Sequence, residues 1–146
     1  MKDSYKKHNQ RLHIIIGCGR LGASVASMLS SSGIEVVIID ITNDAFAKLP
    51  PSYTGFTVEA DACDTHELEN ADIAKAGAVL VVTGNDNMNI MISQIAKVIY
   101  ETPVVVTRLY DTEKEALLMD SGIGVIYPVK LEIEAFRELV GMSAEE

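Results

Sequence analysis

Leu12-His13-Ile14-Ile15-Ile16, then Gly17-Cys18-Gly19-Arg20-Leu21-Gly22, then Ala23-Ser24-Val25-Ala26-Ser27-Met28-Leu29: this stretch decides the fold. An apolar, β-branched run reads as a buried strand, the glycines as a turn, and the mixed small and apolar residues after them as a helix. Gly17 lets the chain turn off the strand end, Gly19 leaves room for a pyrophosphate against the backbone, and Gly22 lets the helix pack closely on the sheet. The helix start offers unpaired N–H groups and the positive end of its dipole to an anion.

A glycine pattern alone is weak, so its context decides. Residues 36–39, Val-Val-Ile-Ile, form a second short β-branched run ending in Asp40. An acid about 20 positions past the glycines suits a ribose, because a carboxylate accepts hydrogen bonds from both hydroxyls. Loop, helix, strand and terminal acid in that order predict nucleotide binding. The bland alternative is a helix N-terminus beside a polar strand end, with Asp40 serving only to cap a turn.

Composition bounds the rest. The chain of 146 residues suits one domain with an adequate core. Hydrophobic residues make up 48%, yet no apolar run approaches bilayer length. The polar, lysine-rich first ten residues do not read as a signal peptide, so a cytoplasmic location and no direct membrane insertion are expected. A net charge of −9, with 5% aromatic residues and no Trp, argues against a nucleic-acid partner. Cys18 and Cys63 are too few for a disulfide framework and lack metal-type spacing. Both read as reduced packing residues, and no metal site is expected.

Taken in order, residues 1–11 read as a flexible lead-in, 12–141 as the nucleotide-binding domain and 142–146 as a tail. The first helix is expected over 19–31, ending at Gly33 in a left-handed cap. A short helix from Thr42 or Asn43 to Leu49 stops at Pro50-Pro51. The third strand, 57–59, leads to Ala60-Asp61-Ala62, which puts another acid on the same sheet edge. Asp61 could equally serve the next helix start, beside Asp64 and Glu67.

A fourth strand, 78–82, is apolar throughout, as in sheets covered on both faces. Thr83-Gly84-Asn85-Asp86 turns into a long helix, 87–100, in which Met88, Met91, Ile92, Ile95 and Ile99 are expected to face the sheet. Strand 104–108, helix 113–120, strand 125–127 and helix 130–140 complete the alternation. The reading is α/β: a Rossmann-type, doubly wound parallel sheet of six strands in a single domain. Ile90 and Val98, with the broad apolar stripe from Leu131 to Val140, leave apolar groups on several helix faces. That pattern predicts a homo-oligomer, a dimer or larger ring.

These motifs together resemble the TrkA/KtrA-type regulatory domains of potassium transport systems, the RCK N-terminal domains. The resemblance covers Leu12 to about Val140. It rests on Gly17 to Gly22, Ile38-Ile39-Asp40, Ala60-Asp61-Ala62, Thr83-Gly84-Asn85-Asp86 with Asn89, and Val106-Thr107-Arg108 before Tyr110-Asp111.

It implies a regulatory subunit that binds NAD(H) or an adenine nucleotide (ATP, ADP or AMP) and signals to an integral-membrane potassium transporter or channel. In that family the loop backbone holds phosphates, and the arginine matching Arg20 reaches phosphate, sometimes of a neighbouring subunit. The acid matching Asp40 takes the ribose. Asp61 and Ala62 match the adenine side, and Thr83 and Gly84 the pocket floor.

The cofactor-binding set is therefore Gly17, Cys18, Gly19, Arg20, Leu21, Gly22, Asp40, Ile41, Asp61, Ala62, Thr83 and Gly84. Ala60 stands where the family commonly has Gly. Val129 stands where it often has an acid, so a divalent-ion role there is not carried over. Many members also carry a ligand-sensing C-terminal domain, which these residues do not include. Asp40 opposes a 2′-phosphate by charge, so NADP is not expected.

An enzyme is not expected, and no catalytic residue is assigned. A nicotinamide-dependent oxidoreductase needs a substrate region and a proton donor near the ring. His8, His13 and His66 are badly placed for that role. The alternatives to a regulatory module are such a cofactor-binding half, or an interaction domain with a permanently held nucleotide.

Overall fold

A computed structural model describes residues 1–145. Six strands form one sheet: β1 (His13–Ile16), β2 (Val36–Asp40), β3 (Phe56–Glu59), β4 (Ala78–Val81), β5 (Val104–Arg108) and β6 (Gly124–Ile126). Their spatial order is β3-β2-β1-β4-β5-β6, and every pairing is parallel. The expected Rossmann-type, doubly wound architecture is what the chain adopts. The order reverses between β1 and β4, so the crevice beside β1 is the topological switch point where such sheets bind ligands.

The register explains why the strands are apolar without a break. Ile14 and Ile16 join Val37, Ile39, Val79, Val81 and Val105 in the core on one face. Ile15, Val36 and Ile38 point the other way, onto Ala23, Ala26 and Leu29 of α2 (Arg20–Ser31). Alternate side chains thus enter opposite cores, and both cores need apolar groups. Gly33, with φ +80°, ends α2 in the left-handed region as expected.

Several elements differ from the sequence reading. Residues expected to form only a lead-in contain a helix, α1 (Lys2–His8). Tyr5 sets its ring edge-on to buried His13, and a Cβ on Gly77 would collide with the His8 carbonyl. The expected helix after β2 is a 3-10 turn, Asn43–Lys48, and the one after β5 is another, Thr112–Leu118. α3 (Thr65–Asn70) is capped by Asp64, whose side chain accepts from His66 N. The tail expected at 142–146 ends beyond the described residues.

The long helix is shorter and rotated from its expected face. α4 (Asp86–Gln94) passes into a π turn, Ile95–Ile99. Asn89, Ile92, Ser93 and Ala96 are the residues turned fully inward, and Ile90, expected on another face, is buried in the same core, whereas Met91, Val98 and Ile99 are exposed. Asn89 takes an inward position because it has partners there. The π turn then adds a residue per turn and swings Ile99 out. α5 (Pro128–Val140) buries none of its residues and leaves Leu131, Phe136 and Leu139 in solvent, Leu139 at 87%. Among the described residues no helix is long and apolar enough to cross a membrane.

Candidate functional site

A cleft of about 710 Å³ opens over the carboxyl ends of β1 to β5, a size suited to a small-molecule ligand. Strand geometry puts it there: in a parallel sheet all carboxyl ends share one edge, and the loops that follow them supply the walls. From β1 come Gly17, Cys18 and Gly19, and from β2 Asp40 and Ile41, joined by Asp44 and Lys48 of the following turn. Ala60, Asp61 and Ala62 follow β3, Thr83 and Gly84 follow β4, and Arg108 ends β5.

Two kinds of glycine stand in the first loop. Gly17 has φ +105°, and a Cβ there would lie 2.7 Å from Val82 O. A Cβ on Gly22 would collide with the Gly17 carbonyl, so the helix start cannot approach the strand end with any side chain at that position. Gly19 differs: a Cβ there would meet nothing within 4 Å, and its backbone is extended. Nothing in the protein requires glycine at Gly19. What a side chain would obstruct is the cleft itself. Gly19 is also the N-cap of α2, with no side-chain cap, so the first-turn N–H groups remain without an intrahelical partner.

Asp40 is already engaged. Oδ2 accepts from Cys18 N at 2.8 Å and Oδ1 from Thr42 N at 2.9 Å, so the acid ties the glycine loop to the end of β2. Each oxygen keeps a further lone pair for a ligand hydroxyl. Asp61 lies across the cleft, where Oδ1 accepts from Cys63 N at 2.9 Å. The next helix start is capped by Asp64, which leaves the second oxygen of Asp61 free of that duty.

The far wall rests on Asn89, which is fully buried. Its Oδ1 accepts from Thr83 N at 3.0 Å and Thr83 Oγ1 at 2.6 Å, and its Nδ2 donates to Thr83 O at 3.1 Å and Arg108 O at 2.9 Å. One amide thereby uses all its capacity to hold the ends of β4 and β5 together. Asp86 does similar work outside, accepting from Tyr110 N and Asp111 N. In sequence Asn89 stands only behind the polar helix start Asn85-Asp86-Asn87, and its burial follows from partners on β4 and β5.

Cations deviate most from expectation. Arg20 begins α2, is exposed and does not line the cleft, and neither Leu21 nor Gly22 does. The remaining nine residues of the expected set do line it. Arg108, named above only as part of the Val106-Thr107-Arg108 motif, lines the cleft. Its Nη2 donates to Val82 O at 3.1 Å, and its guanidinium lies 4.9 Å from the Tyr110 ring centroid. Its buried Nε has no partner. Asp111 caps the following turn by accepting from Glu113 N.

Cys18 lines this cleft, and Cys63 follows Ala62 outside its lining. Burial, seconded by the Asp40 carboxylate, pushes the Cys18 thiol up against the opposing charge of Lys48, and its Sγ–H is directed at Ala45 O. Burial, then the charge and hydrogen bond of Asp61, pushes Cys63 up as well. Thiols so shifted are thiols rather than thiolates at neutral pH. His13 sits at the amino end of β1, the opposite edge of the sheet.

The fold, the glycine loop and the acid ending β2 define a Rossmann-type domain with an anion-ready cleft. The chain belongs to the TrkA-N domain family, whose pattern matches residues 13–128. It is 32% identical to the Trk system potassium uptake protein TrkA of Streptomyces coelicolor, over 92% of this chain and 61% of that protein. It is 35% identical to the Trk system potassium uptake protein TrkA homolog of Pyrococcus horikoshii, over 73% of this chain and 47% of that protein. The chain thus spans about half the length of these curated relatives. Among solved structures, the TrkA-N domain of inner membrane protein ybaL from Escherichia coli superposes with a TM-score of 0.77 at 18% identity, covering 87% of this chain and 94% of that one. The GsuK channel bound to NAD gives a TM-score of 0.75 at 24% identity, covering 89% and 23%. Those two likenesses carry the fold.

Proposed function

We propose that this domain is a nucleotide-binding regulatory module of a potassium uptake system or channel, working on the cytosolic side of the membrane. Its ligand is NAD(H) or an adenine nucleotide. The observation that carries the reading is Gly19: an uncapped helix start whose glycine faces open cleft, with Asp40 lining the same cleft. The protein's own packing has no use for that glycine, and a phosphate does. In this reading Gly17, Cys18 and Gly19 hold phosphate, Asp40 and Ile41 the ribose side, Asp61 and Ala62 the adenine, and Thr83 and Gly84 the floor.

The module acts by binding and not by catalysis. Among the described residues the cleft is lined by no histidine, and burial pushes its one lining thiol, Cys18, up. A bound nucleotide shifts the domain between conformations only by its difference in affinity for them, and the exposed helices are where such a shift is read. Apolar α5, with Val98 and Ile99 at the end of α4, suits self-association into a dimer or larger ring and contact with the membrane partner. Relatives named as Trk system potassium uptake proteins support the choice of system.

The test is a thermal-shift and calorimetry series on ligand-free protein with NAD, NADH, NADP, AMP, ADP and ATP. Binding by at least one of the non-2′-phosphorylated nucleotides, raising the melting temperature by mass action, is expected. A chain that ignores all of them is a scaffold and not a sensor. Light scattering that finds only monomer across the accessible concentration range removes the assembly reading.

A further inference from the structure

The cleft has a cation that the sequence reading passed over. Lys48 closes the 3-10 turn after β2 and lines the cleft on its glycine-loop side. A shallower depression next to it is lined by Ala23, Ser24, Ser27 and Lys48, so the lysine spans from the cleft to the first turns of α2. Its charge is felt at Cys18, in the middle of the loop. Among the described residues no carboxylate pairs with it.

The other cations are otherwise disposed. Arg20 is outside the cleft; Arg108 lines its far wall, where Nη2 is held to the carbonyls of Val82 and Thr83 and the buried Nε has no partner among the described residues. Lys48 is thus an unpaired ammonium on a flexible stem, beside an uncapped helix start. Asp40, Asp44 and Asp61 line the same cleft, and the groups that offer positive charge to a phosphate on this side are the open start of α2 and the Lys48 ammonium.

We propose that Lys48, and not Arg20, is the cation within the same chain that contacts the phosphates of the bound nucleotide. This rests on the nucleotide-binding reading above and names the residue that reads phosphate charge. The α2 N–H groups take non-bridging phosphate oxygens from below, and the Lys48 ammonium takes them from the turn side. Because an ammonium is a point charge without the fixed fork of a guanidinium, it tolerates several phosphate geometries and favours ligands by charge. The ligand class is therefore adenosine nucleotides carrying a pyrophosphate, which bind ahead of the monophosphate. Bound phosphate also ties the turn Asn43–Lys48, which buries no residue of its own, to α2.

The experiment compares wild type, Lys48→Gln and Lys48→Arg by calorimetry with adenosine, AMP and ADP at low and high salt. Lys48→Gln is expected to lose about tenfold in ADP affinity, to leave adenosine affinity unchanged and to flatten the salt dependence. Lys48→Arg should restore most of the ADP affinity. All three proteins should melt alike without ligand, since the side chain is exposed. Equal ADP affinity in wild type and Lys48→Gln overturns the proposal while leaving nucleotide binding intact. An equal loss for adenosine and ADP also overturns it, because that is the mark of altered packing and not of charge. Wild type that binds none of NAD, NADH, AMP, ADP and ATP overturns both readings together.

Discussion

The two walls of the cleft are built on opposite plans. On the β1–β2 side, backbone N–H groups at the start of α2 are left open and Gly19 faces empty space. On the β4–β5 side, Asn89 and Arg108 saturate the carbonyls and amides at the strand ends. The first wall keeps open donors beside the Asp40 bonds, and the second ties its strand ends together and leaves only the Arg108 Nε without a partner among the described residues. A ligand site needs both: open donors recognise the ligand, and a closed scaffold holds the crevice at a fixed width so that recognition is not lost to collapse.

The contrast breaks first at Gly22. Gly22→Ala forces a Cβ into the Gly17 carbonyl, and a loss of roughly 3–5 kcal/mol is expected in chemical denaturation. On the closed wall, Asn89→Ala removes four hydrogen bonds at a fully buried point and orphans Thr83 and Arg108 backbone groups. About 3 kcal/mol of stability should go with it. Asp40→Ala frees Cys18 N and Thr42 N at a half-buried position. It should cost about 1–2 kcal/mol while leaving the domain folded, and should weaken nucleotide binding in calorimetry. Unchanged affinity in the folded variant would remove the ribose assignment.

The variant that sharpens the comparison most is Gly19→Ala. Its melting temperature should match wild type, because the backbone is ordinary and the new methyl meets no protein atom. Nucleotide affinity should nevertheless fall about tenfold. Equal losses of stability and affinity would make the open wall a structural one after all.

The smallest effect lies at the far edge of the same sheet. His13 is buried, with Nδ1–H donating to Arg11 O and Nε2 accepting from Tyr5 O–H, and burial lowers its pKa despite the Arg11 bond. The unfolded chain therefore binds more protons than the native one just below the ordinary histidine range. The stabilising contribution is complete above that range and is lost as pH falls through it. A His13→Gln variant should show a flatter melting profile between neutral and mildly acid pH, with cleft affinity unaltered.

Legibility in the sequence followed the same division. The open wall is local: glycines, strand and acid sit within one βαβ unit, so Gly17, Cys18, Gly19 and Asp40 could be placed from spacing. The closed wall is not, because Arg108 reaches Val82 and Asn89 reaches Arg108 across many residues. Arg108 and Asp111 are near neighbours in sequence and do not pair. In three dimensions Asp111 is drawn to the N–H groups of its own turn, and the guanidinium finds carbonyls inside.

Arg20 differs from Gly17 and Gly19 just before it in lying outside the cleft of its own chain. Its place next to the glycines is a fact of sequence, but the helical turn points it to solvent. Lys48, far along the chain, is brought to the cleft by the 3-10 turn. Likewise the face of α4 was misread at Met91 and Ile99, because an inward Asn89 and a π turn follow from partners elsewhere and not from apolar periodicity.

By itself the sequence determined the parallel sheet, its six strands, the glycine-loop edge and the acid that ends β2. These rest on short-range patterns, where steric rules and burial act within a few residues. Tertiary structure alone decided which side chains face the crevice, that α1 covers the amino end of β1, and that α5 stands with its apolar face uncovered. Those outcomes depend on which backbone groups, distant in the chain, are left needing a partner once the strands have aligned.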